Sequence, residues 1–176
     1  DKLHNAYGAA GLMGNLFAES SLNPIKANGV KKHGLTNQEY TDVADSGVNS
    51  NFITDGIAYG LVQWCYHTRK KGLLDKAKAA GKSVGDIHIQ LEYMWDELQG
   101  YKTVLNTVYK AKSLKEATDI VMLKYEKPAN TSDEAKAKRL SYAENYYKMF
   151  STSNVKFDLK TKAAKEMFSQ LKERMK

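Results

Sequence analysis

Apolar residues near the start of the chain recur at every third or fourth position, which predicts a helix over residues 3–17 with one buried face. Glu19 follows directly at the end of this face, and Asn23-Pro24 ends the helix, because a residue before proline avoids the helical region. A carboxyl group held there at the edge of a cleft suits a general acid, although an ordinary solvated glutamate is the alternative from position alone. The periodic positions are Leu3, Ala6, Tyr7, Ala10, Met13 and Phe17.

The residues that follow predict a polar lobe and then a helical body. Residues 25–55 are rich in glycine and asparagine, with one short helix opened by a capping box from Thr36 to Glu39. Residues 51–61 predict a β-hairpin, because two β-prone runs flank the turn pair Asp55-Gly56. Helical periodicity then predicts helices over residues 68–80, 83–98, 104–109, 113–125, 131–150 and 157–175.

These elements predict an α+β, mainly α fold, in which a small β-hairpin and loop lobe accompanies a helical body. We expect residues 1–150 to form one domain. Residues 151–176 are expected to form a C-terminal amphipathic helix that packs on this domain or leads to a neighbouring one. The chain begins inside an apparent helix without a methionine, which favours a piece of a longer protein.

Charge and cysteine content narrow the choice of partners. The net charge of +7 favours polyanions, either nucleic acid or a bacterial wall that carries teichoic acid. The lysines alternate with acidic residues and form no stripe with interleaved aromatics, which argues against nucleic acid, and no run is long enough to span a membrane.

Four histidines and one cysteine show no zinc-ligand spacing, so we expect no metal or cofactor. Cys65 and His67 lack the orienting third group of a thiol protease.

Several motifs resemble those of the lysozyme superfamily. Glu19-Ser20 with Asn23-Pro24 is similar to its glutamate-serine motif, and Gly60-Leu-Val-Gln63 is similar to its glycine-leucine-x-glutamine motif. More closely, GLMGNLFAESSLNP, YGLVQW, the turn at residues 125–130 and the ending SYAENYYKMF resemble the phage tail lysozyme family of Gram-positive phages and mobile elements. The resemblance covers about residues 6–150 and implies a lysozyme-like fold. Members of the family usually carry another helix upstream, which we expect to be missing or cut away here.

This resemblance implies cleavage of the β-1,4 glycan strand of peptidoglycan, outside the cell or on the virion. Glu19 would be the general acid that protonates the glycosidic oxygen. A hydrolase of this kind also uses a second carboxylate, whereas a lytic transglycosylase needs only the acid. The alternatives of another class are a non-catalytic wall-binding or tail-structural module and, more remotely, a nucleic-acid-binding helical domain.

The second carboxylate is predicted in the hairpin. Asp55 precedes the strand that ends at Gly60, as the hairpin aspartate does in phage-type lysozymes. The competing interpretation is that Asp55 only begins an Asp-Gly turn. Asp42 and Asp45 are the weaker alternatives.

Four further residues are candidates for substrate binding. Gln63 is expected to line the cleft and to orient a water molecule or the substrate. Tyr59 and Trp64 are candidates for stacking on sugar rings, with core packing as the favoured alternative for Trp64. Tyr125 resembles a tyrosine that lytic transglycosylases place near the acid, and packing in the core is its alternative. The neighbouring Glu126 is interpreted as structural.

Overall fold

The chain forms seven α-helices within the residues that the structure describes. The structure is a computed structural model, and it describes residue 3, residues 5–48 and residues 50–151. A 3-10 helix, Val30–His33, precedes α2, and a π-helical turn, Met122–Glu126, follows α6 directly. The predicted helix over residues 157–175 lies outside the described residues. The α-helices are α1 (Ala6–Ser20), α2 (Asn37–Ser46), α3 (His67–Ala79), α4 (Ile87–Gly100), α5 (Lys102–Lys110), α6 (Leu114–Val121) and α7 (Asp133–Ser151).

Helix α1 lies at the centre of the helical body. Every residue of α1 from Gly8 to Leu16 is buried, so the helix is enclosed on all sides. Its periodicity predicts burial of only one face. Three glycines allow this enclosure, because a Cβ at each would come within 2.0–2.7 Å of an atom of a neighbouring helix. The three contacts are Gly8 with Val108 in α5, Gly11 with Ala117 in α6, and Gly14 with Ala143 and Arg139 in α7.

Side-chain caps set the starts of α2, α4 and α6. Thr36 and Glu39 form the predicted capping box, in which Thr36 N donates to Glu39 Oε2 at 2.7 Å and Glu39 N donates to Thr36 Oγ1 at 3.1 Å. Asp86 accepts from two backbone amides at the start of α4, and Ser113 accepts from one at the start of α6. The predicted starts of α2 and α6 are confirmed, whereas α4 begins at Ile87, four residues after the predicted start at residue 83, because Asp86 and not Ser83 caps it.

The predicted β-hairpin over residues 51–61 is wrong. This segment is a series of turns, and only isolated bridges, between Ala27 and Tyr59 and between Tyr59 and Trp64, occur within the described ranges. The amides of Thr54 and Asp55 both donate to Asn51 O, at 2.8 and 2.9 Å, and close a turn where the first strand was predicted.

A buried ion pair explains why the two β-prone runs do not pair with each other. Asp55 Oδ1 accepts from Lys70 Nζ at 2.6 Å, and the Lys70 side chain is 0% exposed. Tyr40 donates its hydroxyl to Asp55 Oδ2 at 2.6 Å, and the Ile57 carbonyl accepts from Lys70 Nζ at 2.8 Å. Phe52 packs on Tyr40 and is itself buried. The segment is therefore held by side chains of α2 and α3 and not by a strand ladder.

Candidate active site

A cavity of about 560 Å³ opens beside the C-terminal end of α1. Its size falls within the range of small-ligand sites. Five separate stretches of the chain contribute to its wall: the end of α1, the loop around Asn28, residues 58–69, Tyr101 and the turn from Tyr125 to Ala129. A site of this kind forms only when the loop lobe and the helical body are both folded.

Glu19 reaches this cavity from the last turn of α1. The helix ends at Ser20 because Ser21 takes up a left-handed conformation with a φ of 54°, so Glu19 is fixed by regular helix on its N-terminal side. Arg139 of α7 donates through Nη2 to Glu19 Oε1 at 2.6 Å, and the two side chains are 9% and 20% exposed. This contact pairs the Glu19 carboxylate with a guanidinium at the edge of the cavity.

The turn from Gly60 to Gln63 supplies a second wall of the cavity. Tyr59 and Trp64 exchange two backbone hydrogen bonds, at 3.0 and 2.9 Å, and close the four intervening residues into a tight loop. Gln63 is left-handed with a φ of 54°, and its Nε2 donates to the carbonyls of Gly60 at 2.8 Å and Lys26 at 3.1 Å. Its Oε1 is buried and has no hydrogen-bond partner among the described residues. A buried acceptor left open on a cavity wall is suited to a substrate hydroxyl or a water molecule.

The π-helical turn brings Glu126 to the wall of the cavity. Lys127 N donates to Met122 O at 2.8 Å, five residues back, and Lys127 itself is left-handed with a φ of 51°. Oε1 of Glu126 is buried and has no hydrogen-bond partner in the described part of the chain. Burial raises the pKa of Glu126 well above 4.5, and the negative charge of Glu19 raises it further.

Glu97 of α4 holds the walls of the cavity together. It accepts from Arg69 Nε at 2.7 Å and Nη2 at 2.8 Å, from Trp64 Nε1 at 2.7 Å and from the Tyr125 hydroxyl at 2.8 Å. The loop that carries Gln63, helix α3 and the π-helical turn are thus tied to one carboxylate. This network fixes the positions of Gln63 and Glu126 through their chain neighbours.

Comparison with known proteins identifies the family. The family model described as phage tail lysozyme matches residues 4–150. The chain belongs to the phage tail lysozyme family. No curated protein and no solved structure matches it. Membership indicates a lysozyme-like cell-wall hydrolase that acts on peptidoglycan in association with the virion.

Three of the six residues singled out in the sequence line the cavity: Glu19, Gln63 and Tyr125. The Tyr125 hydroxyl donates to Glu97 and not to Glu19. Trp64 and Tyr59 are both 0% exposed, so neither ring face is open to a sugar. Both side chains belong to the core. Core packing was the favoured alternative to sugar stacking for Trp64.

The three candidate aspartates lie outside this cavity. Asp55 is bound to Lys70 and is not among the residues that line the cavity. Asp45 accepts from the Val84 amide at 2.7 Å, and Asp42 accepts from Gln38 Nε2 at 2.8 Å on the exposed side of α2. The structure therefore brings none of them to Glu19.

Sequence reasoning did not assign three residues of this candidate site: Arg139, Glu126 and Tyr66. Arg139 lies in a helical stretch that carries no motif of its own. Glu126 lies within the motif at residues 125–130, but it was interpreted as structural. Tyr66 lines the cavity and is 70% exposed, which leaves a ring face open to a ligand. Tyr66 could have been identified from the sequence by its position directly before α3 and close to the Gly60–Gln63 motif.

Within the described residues, no group of three or more His, Cys, Asp or Glu side chains is arranged to hold a metal ion. No helix in those ranges is long and apolar enough to cross a bilayer. Cys65 is a free, exposed thiol on the cavity wall.

Proposed function

We propose that this chain is a muramidase that hydrolyses the β-1,4 glycan strand of peptidoglycan, with Glu19 as an essential catalytic carboxyl group. The observation that carries the proposal is the placement of Glu19 on one wall of a 560 Å³ cavity that also holds Glu126 and the open acceptor of Gln63. Polar groups converging in one cleft of this size are what a glycan-cleaving site needs. By resemblance, Glu19 is the general acid that protonates the glycosidic oxygen.

A lytic transglycosylase is the second candidate. It is favoured by one observation: Asp42, Asp45 and Asp55, the residues proposed as a second carboxylate, do not line the cavity. In such an enzyme the 6-hydroxyl of the sugar attacks in place of water, and the product is an anhydro sugar. A non-catalytic wall-binding module would use the same cleft without chemistry.

The proposed biological setting is penetration or lysis of a bacterial wall by a phage or a mobile element. The net charge of +7 suits attraction to an anionic wall polymer such as teichoic acid. Other domains or tail proteins of a longer parent chain are the proposed protein partners.

Mass spectrometry of the soluble products from purified peptidoglycan tests these functions. We expect the parent protein to release muropeptides with reducing ends, and Glu19→Gln to be about 10³-fold slower, because an amide can neither donate nor accept the required proton. The matched control is Glu144→Gln, which replaces an exposed glutamate of α7 and should leave the rate unchanged. Circular dichroism would verify that each variant is folded.

The other outcomes separate the alternatives. Anhydro products that depend on Glu19 would identify a lytic transglycosylase. Wall binding by the parent without any Glu19-dependent product would reject the enzymatic proposal and support the binding module.

Replacing Tyr66 with alanine is expected to weaken substrate binding about two- to tenfold, because an aromatic stacking contact contributes about 0.5–1.5 kcal/mol. The measurement is KM for soluble glycan oligomers, with kcat expected to change little. Tyr109→Ala is the control, since Tyr109 is also partly exposed but does not line the cavity. Equal effects of the two substitutions would show that Tyr66 has no contact with the substrate.

A further inference from the structure

A second cavity, of about 530 Å³, adjoins the one that holds Glu19. Asn28 lines both cavities, and the wall of the second one includes Ser20 and Ser21, directly after Glu19. The Asn28 amide donates to the Ala58 carbonyl at 2.8 Å, which fixes the residue that the two cavities share. A substrate bound at Glu19 therefore lies next to a second concave surface, to which the proposed cleavage of the glycan strand assigns no occupant.

Three lysines line the second cavity, and no acid does so among the described residues. They are Lys26, Lys31 and Lys32. None of them forms an ion pair within the described ranges, in contrast to the buried Lys70, which pairs with Asp55. A group of uncompensated ammonium ions around a concave surface attracts and holds an anion.

The surrounding sequence supplies no carboxylate that could neutralise this charge. Residues 20–38 contain no Asp or Glu. At one end of the stretch, Glu19 accepts from Arg139 at 2.6 Å. At the other end, Glu39 accepts from the Thr36 amide at 2.7 Å. Both flanking acids are thus bound to other groups, and the positive charge of the second cavity is available to a ligand.

Two asparagines on the same wall add hydrogen-bond donors. Asn23 accepts through Oδ1 from the Ile25 amide at 3.1 Å. Asn37 accepts through Oδ1 from the Ala27 amide at 3.2 Å. Because each oxygen already faces a backbone N–H, the Nδ2 groups are the free ends of both side chains. A wall that offers ammonium and amide donors together matches the acceptor oxygens of a carboxylate.

The stem peptide of peptidoglycan brings a carboxylate to this position. Each N-acetylmuramic acid of the glycan strand carries this peptide on its lactyl group, and the peptide contains free carboxylates. Three extended residues span about 10 Å, which is enough to cross a cavity of about 530 Å³. A strand positioned for cleavage at Glu19 therefore carries an anion within reach of the second cavity.

We propose that the second cavity is a subsite for the carboxylates of the peptidoglycan stem peptide, with Lys26, Lys31 and Lys32 as the binding groups. This inference rests on the proposed muramidase function and defines its substrate as a glycan strand that still carries its peptides. Glu19 remains the general acid in the first cavity, and the second cavity contributes binding and not chemistry. The enzyme should accordingly cleave peptide-bearing strands in preference to bare glycan.

Three substrates made from the same glycan oligomers test the subsite. The first carries stem peptides, the second has lost them to an amidase, and the third carries peptides whose carboxylates have been converted to amides. All three are prepared from walls freed of teichoic acid, so that no phosphate is present. We expect the parent protein to cleave the first substrate with a kcat/KM about fivefold higher than for the other two, the effect of two ammonium–carboxylate contacts at an exposed site.

Replacing Lys31 and Lys32 together with alanine should abolish this preference. Both side chains are exposed, so the fold should be unaffected. The matched control is the double variant Lys78→Ala and Lys82→Ala, which removes the same charge from exposed positions outside both cavities and should keep the preference. Equal losses in the two double variants would show only long-range attraction by the net charge and would overturn the inference.

Binding of N-acetylmuramoyl peptide provides a test that needs no turnover. In 15N NMR spectra of the parent protein, the amide signals of residues 26–37 should shift when the added peptide carries its carboxylates. The amidated peptide should leave these signals unchanged. Shifts of equal size with both peptides would contradict recognition of the carboxylate.

The outcomes separate the subsite from the proposed function. A parent protein that releases no products from peptidoglycan would reject the muramidase proposal, and the NMR titration would then decide the subsite alone. Equal cleavage of the three substrates, or a lysine variant that keeps the preference, would overturn the subsite and leave the muramidase proposal intact. An effect of the lysines only on walls that carry teichoic acid would overturn the assignment to a carboxylate and identify a phosphate as the ligand.

Discussion

Asp55→Asn is expected to lower the free energy of unfolding by about 3–5 kcal/mol, the cost of removing one partner from a buried ion pair. Lys70 is 0% exposed and would keep only Tyr40 and the Ile57 carbonyl as uncharged partners, besides the substituted amide. Urea unfolding at neutral pH measures the loss. The matched control is Asp75→Asn, which breaks an ion pair with Lys71 that is more than half exposed on both sides and should cost less than about 1 kcal/mol.

The difference in the free energy of unfolding between the parent and Asp55→Asn should become smaller as the pH rises. Burial lowers the pKa of Lys70 in the folded state, and the Asp55 charge opposes that effect. Without this charge, the folded variant binds a proton on Lys70 less tightly than the unfolded chain, so its stability increases as the pH rises toward 10.5. A variant that keeps the parent's stability but loses glycan cleavage would instead support the catalytic role that the sequence predicted for Asp55.

Gly14→Ala is expected to destabilise the protein by about 3 kcal/mol, because the added methyl group has no space between α1 and α7. Its Cβ would lie 2.7 Å from both Ala143 N and Arg139 O, which are backbone atoms that move only with the whole helix. Movement of α7 would also carry the Arg139 side chain away from Glu19. Thermal unfolding and glycan cleavage would be measured on the same preparation.

The same substitution in α4 is the control for Gly14→Ala. A Cβ at Gly100 meets nothing within 4 Å, so Gly100→Ala should be neutral or should stabilise the protein by less than about 1 kcal/mol. If Gly14→Ala behaves in the same way, close packing of α1 against α7 is not a source of stability.

The helices could be predicted from the sequence because their signals are local. Thr36 with Glu39, Asp86 and Ser113 each bind amides within three residues of themselves, so the sequence alone carries the complete interaction. Glu19 could be identified because it lies at the end of such a local element and within a family motif.

The parts that could not be predicted depend on distant partners. Asp55 accepts from the Ile57 amide at 2.9 Å, but no strand follows it. Its carboxylate is bound by Lys70 and Tyr40, which lie 15 residues away on either side. Arg139 meets Glu19 across 120 residues, and nothing near either residue indicates the other. Glu126 is placed by an extra residue in one helical turn, and hydrophobic periodicity does not distinguish such a turn from a regular helix.

The enclosure of α1 also determines when the fold can form during synthesis. Its neighbours α5, α6 and α7 all follow it by more than 80 residues, so α1 leaves the ribosome long before any surface exists to cover it. Long-range closure of this kind slows folding, since chain entropy is lost before the contacts are gained. The cavity gains its Glu19–Arg139 pair only after α7 has been made, and a nascent chain that stops short of residue 139 has no complete site.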